Sequence, residues 1–329
     1  MQIVSWGNFM DVLIRGAGVA GLTLAHELSE RGLSVTISEK RDGLSQSASW
    51  LAGGMLAPWC ERENAEETVL IHGRKSLDWW SRVLPGMVRR NGTLVVAPPR
   101  DTAELSRFAT RTNGFDWIAS DKIAVLEPDL EGRFAKALFF QKEAHLDPRL
   151  ALSALKGKLI EQGVRFEFGS DGAKQWGGLE IDCTGMSSRD PDLRGVRGEM
   201  MILETSELSL SRPVRMLHPR IPVYVVPRDE NLFMVGATMI ESHDGGPISA
   251  RSAMELLNAA YSLHPAFAEA KIVESGTGVR PAYPDNLPRV TINGKNVSLN
   301  GMYRHGFLLS PHFAEVAADK IIEASGKVT

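Results

Sequence analysis

Cysteine is scarce: of 329 residues only two are cysteines, Cys60 and Cys183, far apart in the chain. That excludes a disulfide framework and implies a reduced compartment, with the cytoplasm as the expected location. No apolar run approaches membrane-spanning length, and the first residues lack the basic segment of a secretory leader. Met1 to Phe9 reads as an irregular extension, with Met10 as an alternative start. Neither charge sign is in excess. Lysine plus arginine number 37 against 40 acids, a formal net charge of -3, so there is no electrostatic footprint for nucleic acid. No internal repeat or low-complexity tract is present. His72, His145, His218 and His312 lack ligand spacing, so no metal site is expected.

Glycine and apolar residues are plentiful, at 31 glycines and 43% hydrophobic content, as in an α/β protein of one large or two smaller domains. The apolar strand Val12-Leu13-Ile14 runs into Gly16-Ala17-Gly18-Val19-Ala20-Gly21. A helix follows, with Leu22, Ala25 and Leu28 at helical spacing, Arg31 at its negative end and Gly32 as a left-handed stop. Val35 and Ile37 then alternate with Thr36 and Ser38 up to Glu39. This is the dinucleotide fingerprint in its expected context. Gly16 permits the tight turn, Gly18 lets backbone approach a pyrophosphate, and Gly21 allows close helix–strand packing. Glu39 suits a ribose 2′-hydroxyl and argues against NADP.

Further along, Ala52-Gly53-Gly54-Met55 reads either as backbone against something flat or anionic, or as a plain loop. Residues 66–140 alternate amphipathic helices with short strands, as an inserted layer. A second βαβ limb returns through Leu179 to Asp182 and ends at Cys183-Thr184-Gly185, at the carboxyl edge of the sheet. Met200 to Leu203, Val223 to Val226 and Phe233 to Gly236 read as an antiparallel sheet, and a closing helix is expected over Phe313 to Ala324.

These segments occur in the order of a known family. The glycine fingerprint with Glu39, Ala52 to Leu56, Arg197-Gly198-Glu199, Tyr224 to Arg228, Val235 to Met239, Gly278 to Pro281 and Gly301 to Pro311 resemble the D-amino-acid oxidase superfamily of flavoproteins. Within it the chain is similar to the glycine-oxidising members of thiamine biosynthesis. The resemblance implies an α/β chain with a glutathione-reductase-like Rossmann FAD-binding domain (10–64, 141–193 and 274–329) and an antiparallel-sheet substrate domain (65–140 and 194–273).

It further implies that Gly16 to Gly21, Glu39 and Lys40 hold the ADP part of non-covalent FAD. Ala48, Ser49, Gly53, Gly54 and Met55 would run beneath the flavin, with Gly185 at the strand end. Met302, Tyr303, Arg304, His305, Gly306, Phe307 and Leu308 would wrap the pyrimidine edge. Arg280 and Arg304 would face a substrate carboxylate with Tyr224 donating to it and Met239 on the pocket wall. Without the resemblance, the two arginines read rather as surface ion pairs. His305 reads as an acid or base, or as a hydrogen-bonding ring against the cofactor edge.

The implied reaction is oxidative deamination of glycine, or of sarcosine or another small amino acid, by hydride transfer to flavin N5 with dioxygen reduced to peroxide. No side-chain base is needed. A D-amino-acid or sarcosine oxidase, a dehydrogenase, or a partner-dependent FAD subunit are the alternatives. Implied partners are the amino acid, O2, thiazole-synthesis enzymes and further copies of the chain.

Overall fold

The computed structural model of the chain describes residues 11–45, 47–170, 176–217, 222–293 and 296–324. The expectations for Met1 to Met10, Gln46 and His218 lie outside them. Two large sheets organise the chain. The first has six strands in the order Arg289–Asn293, Asn296–Asn300, Leu179–Asp182, Asp11–Arg15, Ser34–Glu39 and Arg165–Phe168. All neighbours are parallel except the first pair. Ile14 lies opposite Ile37 on one side and Ile181 on the other, and all three are fully buried. That explains why the strand reads as an unbroken apolar run: a central parallel strand is covered on both faces.

The fingerprint helix, Val19–Glu30, packs Leu22, Ala25 and Leu28 into this core and ends before Gly32, whose φ of +78° is the left-handed stop. The second sheet carries strands Ile240–Glu241, Arg194–Glu204, Leu232–Gly236, Val223–Pro227, Val214–Met216, Thr93–Val96, Lys136–Phe140 and Asp116–Ala119 in that order. Lys271–Ala282 also pairs antiparallel with Arg194–Glu204, from Ala282 opposite Arg194 to Lys271 opposite Glu204, with a register shift between Ile202 and Leu203. The three strands read from sequence are antiparallel neighbours here, Met201 opposite Val235 and Val235 opposite Val225.

The strand Lys271–Ala282 contains the expected boundary at 274 and pairs with Arg194–Glu204 of the second sheet on both sides of it. The helix Glu67–Val83, read as part of the inserted layer, puts Leu77, Trp79, Trp80 and Val83 into the core of the first sheet. An amphipathic stripe states that a helix has a buried face; it does not state which core receives it.

The closing helix is a correction. It runs Gly306–Ala324, seven residues longer than expected, with Pro311 inside it. Proline has no N–H for the carbonyl four residues back, which normally argues for a helix start after it. Here that carbonyl, of Phe307, accepts instead from the Trp80 indole N–H at 2.8 Å. The Ser76 hydroxyl likewise donates to the carbonyl of Leu308. The Trp80 side chain from a distant helix thus supplies what the proline withholds, and the helix N-terminus begins at the site described next.

Candidate active site

One cavity of about 1620 Å³ runs from the fingerprint turn, past the carboxyl ends of the parallel strands, to the inner face of the second sheet. Such a volume exceeds that of an ordinary small-molecule pocket of roughly 300–1,000 Å³. At one end Gly16 has φ +102°, and a Cβ there would meet the Cys183 carbonyl oxygen at 2.5 Å. Gly21 does not line the cavity; a Cβ on it would lie 2.0 Å from the Gly16 oxygen, so its hydrogen is what lets the turn close. Ala17 does not line it either, but its N–H donates to Glu39 Oε2 at 2.9 Å. The other Glu39 oxygen accepts from the Arg41 backbone at 3.1 Å and side chain at 3.2 Å. The strand-end acid is thereby fixed to the turn it serves. The amide of Val19, at the helix N-terminus, donates to Ser49 Oγ at 3.0 Å and ties in the next lining segment.

That segment, Ala48 to Met55, is held from outside the cavity by Arg228. Its guanidinium donates to the carbonyls of Gly53 at 2.9 Å, Leu146 at 3.1 Å and Ala52 at 3.3 Å, and pairs with Asp147 at 3.3 Å. Burial pulls its pKa down to about 10, against the pull of Asp147. Gly53 is required because a Cβ there would sit 2.7 Å from the Tyr224 ring, and Gly54, at φ +73°, because one would sit 2.1 Å from the Leu146 oxygen. The glycine-rich stretch is therefore not a plain loop: it forms a fixed wall beneath Tyr224.

The other end of the cavity is cationic. Arg280, Arg304, Arg215, Tyr224 and Met239 line it together with Glu61. Arg280 is half-buried and donates to the carbonyl of Thr238 at 3.2 Å; loss of solvent around it lowers its pKa. Gly198 on the adjacent strand makes room for it, since a Cβ there would fall 2.0 Å from the guanidinium. Arg304 contacts both oxygens of Glu61, at 3.3 and 3.2 Å. Glu61 also lies 3.6 Å from Arg215 and 3.6 Å from His305 Nδ1. Burial would raise the Glu61 pKa, but Arg304, His305, Arg215 and Arg280 outweigh it and hold the carboxyl at about 2. For His305 burial dominates and lowers the pKa to about 4, so the ring is neutral at pH 7.

Of the residues read from sequence, Ala17, Gly21 and Tyr303 do not line the cavity; the others do. Tyr303 instead donates its hydroxyl to Met239 Sδ at 3.0 Å. Glu61, Arg215 and Arg41 line the cavity and were missed. Glu61 follows Cys60 in the short helix Pro58–Glu61, and nothing in its local pattern separates it from a surface acid; only the arginines gathered from 215, 280 and 304 do.

Behind Glu61, buried Glu143 accepts the Cys60 N–H at 2.7 Å through Oε1. Its other oxygen has no hydrogen-bond partner among the described residues, and burial raises its pKa from 4.5 to about 7. The folded chain holds this proton more tightly than the unfolded chain. Its stabilising contribution is therefore complete below pH 4.5 and is lost as pH rises through 7, a loss of about 3 kcal/mol. Glu143→Gln keeps the acceptor and removes the titration. We expect wild-type unfolding free energy to fall between pH 5 and pH 8 and the variant's to fall by less; parallel pH profiles in urea titrations would refute this.

The donor set fits a dinucleotide cofactor: bare backbone at Gly16 and Gly18, an acid at the second strand end, a helix N-terminus at Gly306 and a clear path between them. Among the described residues no cluster could hold a metal ion, and no helix is long and apolar enough to cross a membrane.

Comparison with known proteins agrees with this geometry. The family described as FAD dependent oxidoreductase matches residues 11–320. A Rhizobium etli protein provisionally named thiamine biosynthesis oxidoreductase ThiO is 59% identical, over 97% of this chain and 98% of that one. The bifunctional protein ThiO/ThiG of a Nostoc species is 28% identical over 95% of this chain and 53% of its own length. Among solved structures, glycine oxidase from Bacillus cereus superposes with a TM-score of 0.80 at 21% identity, covering 97% of this chain and 98% of that one, a likeness of fold.

Proposed function

The chain belongs to the FAD-dependent oxidoreductase family, and on that footing we propose that it oxidises glycine, or a comparably small amino acid, to the imine. The observation that carries this reading is Arg280: a half-buried guanidinium facing the cavity with a single carbonyl as hydrogen-bond partner among the described residues. Such a group is an open carboxylate site, because its fork matches a carboxylate and its partial burial thins the water shell that would compete.

We read the first sheet, with the helices packed on it, as the unit that holds FAD. Gly16, Gly18, Val19, Ala20, Glu39 and Lys40 would hold the adenosine diphosphate portion. Ala48 to Met55 and Met302 to Leu308 would hold the flavin. When bound, FAD supplies the acceptor for a hydride and its electron pair and passes them to dioxygen, giving peroxide. The protein's part is placement. Arg280 takes the carboxylate, Tyr224 donates its hydroxyl to the same group, and the substrate Cα is thereby aimed at the wall formed by Gly53 and Gly54. The N-terminus of the Gly306–Ala324 helix provides positive potential for negative charge developing at the pyrimidine edge. His305, neutral at pH 7, contributes a ring hydrogen bond rather than a proton reservoir. No side chain is assigned as base; the amine reacts in its uncharged form.

The names of the relatives support a place in thiamine biosynthesis, and the fusion of ThiO with ThiG in Nostoc supports an enzyme of thiazole assembly as the consumer of the product. The test is the visible spectrum of the purified yellow protein. Glycine without air should bleach it, and oxygen should restore it with one peroxide per turnover. A flavin that glycine leaves oxidised would exclude glycine as substrate.

A further inference from the structure

The cationic end of the cavity holds more positive charge than one monocarboxylate needs. Arg215, Arg280 and Arg304 all line it, and Arg280 and Arg304 lie close enough for each to disfavour the other's charge. Against them the cavity presents Glu61, which touches Arg304 with both oxygens and is 14% exposed at its side chain. Arg215 is shared between Glu61, at 3.6 Å, and Glu63, at 3.5 Å, and Glu63 is in turn bonded by Arg111 at 3.1 Å. The two guanidiniums expected to act as one clamp are therefore not equivalent. Among the described residues Arg280 has only the carbonyl of Thr238, whereas Arg304 already carries a carboxylate supplied by the chain itself.

We propose that Glu61 is the specificity-determining residue that restricts this pocket to substrates with a single carboxylate: it acts as an internal counter-anion on Arg304, leaving Arg280 alone open to the ligand. The inference rests on the functional reading above, in which the ligand's carboxylate enters this end of the cavity. A second carboxylate on the ligand would have to displace Glu61 from a half-buried ion pair and would meet a like charge beside it, which disfavours binding. With Glu61 neutral, Arg304 loses its carboxylate partner, and a dianionic ligand would complete both pairs at once.

The experiment is titration calorimetry of the FAD-loaded protein with acetate, malonate and succinate, which share one carboxylate and differ in the presence and reach of a second. None of them has an amine to oxidise. For the wild type we expect acetate to bind at least as tightly as either dianion. For Glu61→Gln we expect the tighter-binding dianion to gain at least 10-fold while acetate changes less than 3-fold. Glu61→Asp, which keeps the charge, should restore the wild-type preference. Equal gains for acetate and the dianions would overturn the proposal, since Glu61 would then repel anions generally. So would no gain for either dianion.

Should Glu61→Gln fail to load FAD, the double variant with Arg304→Met removes the cation that has lost its carboxylate and tests the other half of the proposal, that Arg280 alone takes the ligand. It should keep acetate and show no dianion preference; loss of acetate binding would mean that Arg304 carries the ligand carboxylate, and the proposal falls. Acetate failing to bind the wild type would instead overturn the carboxylate reading of the pocket, a result separable from a wild type that binds acetate and a variant that ignores malonate and succinate.

Discussion

Arg280→Met is expected to slow reduction of the bound flavin by glycine roughly 30- to several thousand-fold, the equivalent of about 2–5 kcal/mol for losing a charged hydrogen-bond partner in a desolvated site. The loss should appear in binding as well as in the reductive step, because the carboxylate contact both holds glycine and aims its Cα. FAD content should not change. The protein should be as stable as the wild type or slightly more so: the guanidinium forms one hydrogen bond among the described residues, and its lowered pKa records that folding works against its charge. Arg280→Lys should recover only part of the rate, since an ammonium lacks the planar fork. Anaerobic stopped-flow at 450 nm, a conventional flavin wavelength of about that value, measures the rate, and a melting curve measures the stability. Unchanged reduction kinetics in Arg280→Met would remove the carboxylate site from this residue.

Gly21→Ala is expected to abolish FAD retention, although Gly21 does not line the cavity. The added methyl would lie 2.0 Å from the Gly16 oxygen, 3.1 Å from the Gly16 carbonyl carbon and 3.4 Å from Ile14 Cγ2. The first two are backbone and have no rotamer into which to retreat. Relief requires the Val19–Glu30 helix to move off the strand, which opens the turn that lines the cavity at Gly16 and Gly18. A cost of roughly 3 kcal/mol is the scale for overpacking against atoms that cannot yield. Gly32→Ala is the matched comparison: its φ is +78° but nothing lies within 4 Å of the added methyl. That variant should lose only roughly 1 kcal/mol, from left-handed strain, and keep its flavin. Gel filtration followed by the ratio of flavin to protein absorbance distinguishes the two. Full flavin occupancy in Gly21→Ala would show that the close helix–strand approach is not needed for binding.

These two residues mark different limits of sequence reading. Gly21 was legible because its function is local: a strand, a tight turn and a helix within a dozen residues impose one spacing of glycines. Glu39 was legible for the same reason, and its bond to the Ala17 amide is the local contact that links it to that turn. Arg280 could be recognised only as one arginine in a glycine-flanked segment. What distinguishes it from a surface ion pair is Gly198, 82 positions earlier, which vacates the space its guanidinium occupies.

The helix Gly306–Ala324 was placed too late because Pro311 reads locally as a boundary, and the Trp80 indole that satisfies the Phe307 carbonyl lies 227 residues away. Glu61 carried no local signal. By itself the sequence determined the dinucleotide turn, the parallel strands around it and the family, because each depends on residue spacing along a short stretch of chain. Only the tertiary structure decided which core received the Glu67–Val83 helix, where the last helix begins, and that one acid neutralises one of three converging arginines. Those outcomes depend on distances between segments remote in sequence, and burial, which gives such charge pairs their strength, exists only once the segments have packed.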